Sequence, residues 1–230
     1  MSAPRRARAV VGVMARYPEP GRVKTRLARS LGDAAACDLY RAFLLDLAAR
    51  LRTSRRQVIW LVHPPDRDLR EVLGPEASCR PQRGNDLGAR MHQAFVELTA
   101  AGYERVIIIG ADMPHLRDEW LDEADAALDV ADAALGPVRD GGYYLIAMRA
   151  PHDLFTGVPM GTPTVLATTL ARAETAALRM HLLPQSFDVD EVADLRRLRE
   201  EMTRPGVPPM PHTRAVLSRF SLISSRQGRS

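Results

Sequence analysis

The chain has 230 residues, 46% hydrophobic and 26% charged, with a formal net charge of +4, a balance that suits one large soluble domain with a sizeable core. Much of the basic excess lies at the ends, at Arg5, Arg6, Arg8, Arg226 and Arg229, and no basic groove with interleaved aromatics is present, so a nucleic-acid surface is excluded. No apolar run approaches the roughly 20 residues that a membrane crossing requires, and the stretch after the first arginines is cut short by Arg16 without a cleavage site, so neither a membrane span nor a signal peptide is expected. Cys37 and Cys79 match no metal-ligand spacing and read as reduced residues of a cytoplasmic protein.

In chain order, residues 7–15 (ARAVVGVMA) predict a buried, Val-rich strand, followed by the Pro/Gly loop YPEPGR. From Asp33 to Leu51, Ala36, Leu39, Tyr40, Phe43, Leu44, Leu47 and Leu51 recur at helical spacing. Residues 57–62 predict a second strand and 66–73 a short helix. Asn85 or Asp86 can cap a helix carrying Leu87, Met91, Ala94, Phe95 and Leu98. Residues 105–112 (RVIIIGAD) predict a central strand, 117–128 a helix, 133–149 two strands around RDGG, and 163–178 a helix. This alternation predicts a Rossmann-like, three-layer α/β domain with a mostly parallel central sheet and a small β-hairpin insertion, over residues 8–200. Residues 201–230 read as a Pro-rich linker, a short helix and a disordered tail.

Ligands of such sheets bind beyond the carboxyl ends of the strands, and four loops are placed there. The first, RYPEPGRVKTRLA, offers Gly21 for close backbone approach, the cations Arg22, Lys24 and Arg26, and the Thr25 hydroxyl. That combination suits a polyphosphate, although a solvated basic loop has the same composition. Lys24 is the only lysine among 32 basic residues, which reads either as one position that kept a compact ammonium in a GC-rich genome or as chance. The second loop places Gly84, Asp86 and Gly88 around a helix start that can receive a base or a phosphate, or is an ordinary cap. In the third, Asp112 follows the most apolar strand, where a carboxylate is costly unless paired, capping a turn, or bound to a cation such as Mg²⁺. In the fourth, Asp188 and Asp190 lie two apart, so on an extended segment they face one side and can complete a metal site with Asp112; Asp194 can cap the next helix. Asp140, Gly141 and Gly142 form a hairpin turn or an acceptor-side loop.

The motifs PGRVKTRLA, LGARM, IIIGADMPHL, GPVRDGGYYLI and DVDEVADL, in this order, resemble a group of bacterial GT-A-like transferases. These are the arsenosugar-biosynthesis-type or radical-SAM/selenodomain-associated glycosyltransferases, related to 2-phospholactate guanylyltransferase and molybdenum cofactor guanylyltransferase. The resemblance implies a nucleotide-diphospho-sugar transferase fold with Mg²⁺ or Mn²⁺. Lys24, Arg22 and Arg26 would hold phosphates and act in catalysis with Asp112. Asp112 and Asp190, with Asp188, would hold the metal. Ala15, Arg16, Gly21, Thr25, Gln82, Gly84, Asp86, Gly88 and Arg90 would line the nucleotide site. The implied partners are a nucleotide or nucleotide-sugar and a small-molecule acceptor, with a homodimer compatible. The implied activity is glycosyl transfer, with guanylyltransferase-like nucleotidylyl transfer as the alternative and non-catalytic nucleotide binding as a third reading. Two departures stand out: the loop after the first strand lacks the LAGGxGxR pattern of nucleotidylyltransferases, and ADMP replaces the Asp-x-Asp of metal-dependent glycosyltransferases.

Overall fold

The computed structural model describes residues 8–224; the expected arm at Arg5 and Arg6 and the expected disordered tail with Arg226 and Arg229 lie outside the described residues. Seven strands, β1 (Ala9–Arg16), β2 (Gln57–His63), β3 (Cys79–Pro81), β4 (Arg105–Gly110), β5 (Ala133–Pro137), β6 (Tyr143–Met148) and β7 (Met180–Leu182), form one sheet in the order β3-β2-β1-β4-β6-β5-β7. All neighbours run parallel except β6, which is antiparallel to both β4 and β5. Helices α1 (Thr25–Leu31), α2 (Asp33–Leu51), α3 (Arg70–Leu73), α4 (Leu87–Ala100), α5 (Asp118–Ala127), α6 (Val165–Thr175), α7 (Val192–Glu201) and α8 (Pro211–Ser224) connect the strands and follow them.

The strands separate two cores because their side chains alternate. In β4, Ile107 and Ile109 pack with Leu39 and Phe43 of α2, Leu121 of α5 and Leu198 of α7. Val106 and Ile108 pack on the other face with Phe95 and Leu98 of α4 and with Phe155. The result is the expected three-layer arrangement. Every apolar position foreseen in α2 is buried. In α4, Leu87 is the exception at 40% exposed, because it is the first helical residue and borders an open cavity.

Three features differ from the sequence reading. The expected hairpin insertion, β5 and β6, is built into the sheet, with β6 between β4 and β5, since its run YYLIAM is apolar on both faces. Strands β3 and β7 have three residues each, too few for a periodic signal. The Pro-rich segment after α7 leads back to the domain, where Leu217 of α8 joins the α2-side core.

Asp46 of α2 secures that return. It is 2% exposed, and its two carboxylate oxygens accept hydrogen bonds from the backbone N–H groups of His212 at 3.0 Å and Thr213 at 2.7 Å. These are first-turn donors of α8 without intrahelical partners, and Pro211 before them needs none. A second close approach shapes the cavity rim. Gly141 has φ of +88°, and a Cβ there would lie 2.0 Å from the Pro163 carbonyl oxygen. Its own carbonyl accepts from Leu166 N at 2.8 Å, tying the β5–β6 turn to the start of α6.

Two stability outcomes follow from these contacts. Asp46→Ala removes two charge-assisted hydrogen bonds and lowers unfolding stability by about 2 kcal/mol, read by urea denaturation; a loss below about 0.5 kcal/mol would contradict the docking of α8. Gly141→Ala combines left-handed backbone with a steric clash and lowers Tm by about 5 °C in a calorimetric scan.

Candidate active site

A cavity of about 630 Å³ opens beyond the carboxyl ends of β1, β2 and β4, where an open α/β sheet places its ligands. Its walls divide charge by position along the chain. Residues 14–91 contribute Arg16, Arg22, Lys24, Arg26, His63 and Arg90 and no carboxylate. Residues 108–190 contribute Asp112, Asp140, Asp188 and Asp190 and no basic side chain. Basic and acidic side chains therefore share a single cavity, and Arg26 also lines an adjoining pocket with Asp140, Asp188 and Asp190.

Lys24 joins the two sets. Its Nζ lies 2.6 Å from Asp112 Oδ1 and 2.8 Å from Asp190 Oδ1. Its side chain is 3% exposed, whereas those of Asp112 and Asp190 are 45% and 35% exposed. The ammonium thus lies beneath the carboxylates, 6.0 Å from the ring centres of both Tyr40 and Phe43 on α2. Burial acts to lower the Lys24 pKa, but the two carboxylates outweigh it and hold it above the ordinary lysine value. Burial likewise acts to raise Asp190, and Lys24 reverses this to a lowered value. Asp188 has no such partner. Its burial, with Asp190 and Asp140 nearby, pushes its pKa up to about 7.

The local chain explains this convergence. Val189 N donates to the Asp112 carbonyl at 3.1 Å, pinning an extended segment to the end of β4. Val189 is fully buried, so its neighbours Asp188 and Asp190 both turn to the cavity, as their two-residue spacing predicts. Asp194 Oδ2 accepts from the backbone N–H of Asp190 at 3.1 Å and of Glu191 at 2.9 Å, so it braces Asp190 while starting α7. Lys24 itself has φ 47° and ψ 45°, a left-handed conformation uncommon outside glycine, at the start of α1.

Of the residues singled out in the sequence, Ala15, Arg16, Arg22, Lys24, Thr25, Arg26, Gln82, Arg90, Asp112, Asp140, Gly142, Asp188 and Asp190 line this cavity. Gly21, Gly84, Asp86, Gly88 and Gly141 do not, and each has a backbone reason for its identity. Gly21 has φ of +76°. A Cβ on Gly84 would lie 2.7 Å from Arg90 N, and one on Gly88 2.6 Å from the Phe155 carbonyl. Asp86 caps α4 by accepting from Ala89 N at 2.8 Å. Gln82 is buried, and its amide donates to the carbonyls of Ala15 at 3.1 Å and Leu61 at 2.7 Å, which fixes the floor between β1 and β3. Arg90 Nη1 donates to His63 Nδ1 at 3.0 Å, and burial with the Arg90 charge lowers the His63 pKa, favouring a neutral ring that accepts. The Arg90 Nε is buried without a partner.

Sequence reasoning missed Tyr40, His63, Tyr143 and the 160–163 loop, all of which line the cavity. Tyr40 reads as helix core, yet its hydroxyl also accepts from Arg16 N at 3.0 Å. His63 ends β2, so the rule that found Asp112 could have found it.

Among the described residues no group of three or more His, Cys, Asp or Glu forms a metal-holding cluster. Asp112 Oδ1 and Asp190 Oδ1 nevertheless converge on one point, held by the Lys24 ammonium. Two hard carboxylates, completed by phosphate oxygens and water, are the donor set Mg²⁺ takes, so the residues fit a cation shared with a ligand and not an all-protein cage.

Comparison with known proteins bears on the fold and the family. A phosphoenolpyruvate guanylyltransferase from Chloroflexus aggregans is 29% identical over 188 residues, covering 76% of this chain and 89% of that one. A solved structure from Desulfovibrio desulfuricans G20, provisionally named a nucleotide-diphospho-sugar transferase, has a TM-score of 0.87 and 33% identity over 96% of this chain and 98% of its own. A CMP:2-keto-3-deoxy-manno-octonic acid synthetase solved with CTP has a TM-score of 0.56 at 12% identity, over 85% of this chain and 98% of its own, a likeness of fold. The fold is thus that of nucleotide-diphospho-sugar transferases and nucleotidyltransferases. Residues 44–162 match the family described as "Uncharacterized protein conserved in bacteria (DUF2064)", and the chain belongs to that family.

Proposed function

We propose that this protein is a nucleotide-dependent transferase that moves a nucleotidyl group from a nucleoside triphosphate to a small-molecule acceptor, with a divalent cation shared between protein and phosphates. The single observation that carries this reading is one cavity lined by both a set of cations and a set of carboxylates at the carboxyl edge of the sheet. A triphosphate carries about four negative charges, which suits the surplus cations Arg16, Arg22 and Arg26. A bare polyphosphate beside Asp112, Asp188 and Asp190, whose charge the single Lys24 ammonium only partly offsets, is repelled unless a further cation intervenes. Asp112 and Asp190 would hold that cation, with Asp188 beside them, and the ion, Mg²⁺ or Mn²⁺, would supply charge neutralisation at the phosphate oxygens. Identity with a guanylyltransferase over most of the chain supports this branch.

In the reaction, an acceptor oxygen forms a bond to the α-phosphorus as the bond to the departing pyrophosphate breaks. Arg22 and Arg26 hold the leaving phosphates, and the backbone around Ala15 and Arg16, fixed by Gln82 and Tyr40, orients the nucleoside. The turn bearing Asp140 and Gly142 borders the acceptor. Preformed charge and positioning supply the acceleration. Glycosyl transfer is the second reading, favoured by the name of the D. desulfuricans relative. It uses the same cradle, but the leaving group is then a nucleoside diphosphate and the reacting centre a sugar carbon.

Incubation with each nucleoside triphosphate and with sugar nucleotides, in an extract of small-molecule acceptors with Mg²⁺, separates the readings. Pyrophosphate release from a triphosphate supports nucleotidylyl transfer; nucleoside diphosphate release from a sugar nucleotide supports glycosyl transfer in its place. Asp112→Asn is expected to lower turnover at least about 100-fold in whichever assay is positive. Unchanged turnover would remove Asp112 from the site.

A further inference from the structure

The position to which the carboxylates of Asp112 and Asp190 point is already filled from within the chain. The Lys24 nitrogen makes contacts of 2.6 and 2.8 Å with the same two oxygens that a shared divalent cation would use. An ammonium and a divalent cation cannot both occupy that point. Nor can they sit side by side without bringing three positive charges against two negative ones. The lysine enters from below, buried against Tyr40 and Phe43, while the carboxylates remain open to the cavity above. The left-handed backbone at Lys24 is a conformation that a side chain disfavours and that persists only where its surroundings impose it. Other basic side chains of the cavity wall lack this arrangement: the ion pairs with Asp112 and Asp190 are both made by Lys24.

We infer that Lys24 is the resident counter-ion of the Asp112–Asp190 pair, and that it keeps free divalent cations out of the nucleotide-free site. The inference rests on the reading that a cation and a polyphosphate share this cavity. The cation enters together with the polyphosphate, because only an incoming anion offers the displaced ammonium a replacement for its carboxylates. Lys24 then turns from protein oxygens to phosphate oxygens, and its charge is compensated at every stage. This order of binding commits the cation to productive complexes. It also accounts for an ammonium at this position: three donors on a compact, flexible stem can exchange one set of oxygens for another in a space that a planar guanidinium overfills.

Because Lys24 is the only lysine of the chain, the test can be read on one atom. Protein labelled with ¹⁵N-lysine gives a single side-chain ammonium resonance, slowed in exchange by burial and by its two carboxylate partners. Addition of millimolar Mg²⁺ alone is expected to leave this resonance unmoved. Addition of Mg²⁺ with a nucleoside triphosphate that raises the melting temperature is expected to shift it. A shift with Mg²⁺ alone overturns the inference, as does an unmoved resonance with a bound triphosphate. If no nucleotide raises the melting temperature, the reading of the cavity fails first and the inference falls with it.

A second measurement removes the counter-ion. In nucleotide-free protein, Lys24→Met and Lys24→Gln are expected to bind Mn²⁺ at least tenfold more tightly than the native chain, by electron paramagnetic resonance titration. Adding Asp112→Asn to either is expected to abolish the gain. Equal or weaker Mn²⁺ binding in a folded variant overturns the proposal. Should neither variant fold, the ammonium resonance of the native chain still decides.

Discussion

An ammonium held between two carboxylates from separate stretches of the chain is the interaction on which the site depends. Lys24 opens the first helix, Asp112 follows the fourth strand and Asp190 precedes the seventh helix, so the triple joins three segments that are adjacent only in the finished fold. Each member needs the others. A lysine 3% exposed without partners would be driven to neutrality, and two carboxylates this close without a cation would repel one another. Asp188, two residues from Asp190, is more weakly served: burial and the neighbouring carboxylates outweigh the pull of Lys24 and push its pKa up to about 7.

The sheet makes that triple possible. Parallel strands end together, so the loops after β1, β2 and β4 meet along one edge, and the hydrogen bond from Val189 to the Asp112 carbonyl brings a segment from late in the chain to the same edge. The placement of β6 between β4 and β5 brings the Asp140–Gly142 turn to the same cavity, with Asp140 near Asp188. The result is one space lined by both cations and carboxylates, which on the proposed reading receives a metal-bearing polyphosphate. On the proposed reading the same arrangement suits nucleotidylyl or glycosyl transfer, because either requires a departing diphosphate or pyrophosphate to be neutralised.

Much of this was legible in the sequence, and the reasons are physical. Strands β1, β2 and β4 and the core of α2 carry strong periodic patterns, and these patterns report burial on sheet faces. The two-residue spacing of Asp188 and Asp190 correctly placed both toward one cavity. The bias of the chain toward arginine made Lys24 conspicuous, although its loop pointed to phosphate and gave no hint of partners at Asp112 and Asp190. Such pairings depend on tertiary closure across 166 residues for Lys24 and Asp190, and no local rule contains them. The same holds for Asp46 and the first turn of α8. Glycines misled in the other direction. Gly84 and Gly88 invited a ligand reading, yet the atoms that exclude a side chain there are Arg90 N and the Phe155 carbonyl, both of the protein backbone.

The charge division of the cavity is tested most directly by the dependence of nucleotide affinity on a divalent cation. Calorimetric titration of the preferred nucleoside triphosphate, with Mg²⁺ and again with EDTA, measures it. The account predicts binding at least about tenfold weaker in EDTA, since the phosphates would then meet Asp112, Asp188 and Asp190 with only the single Lys24 charge to offset them. Equal affinity under the two conditions would contradict it.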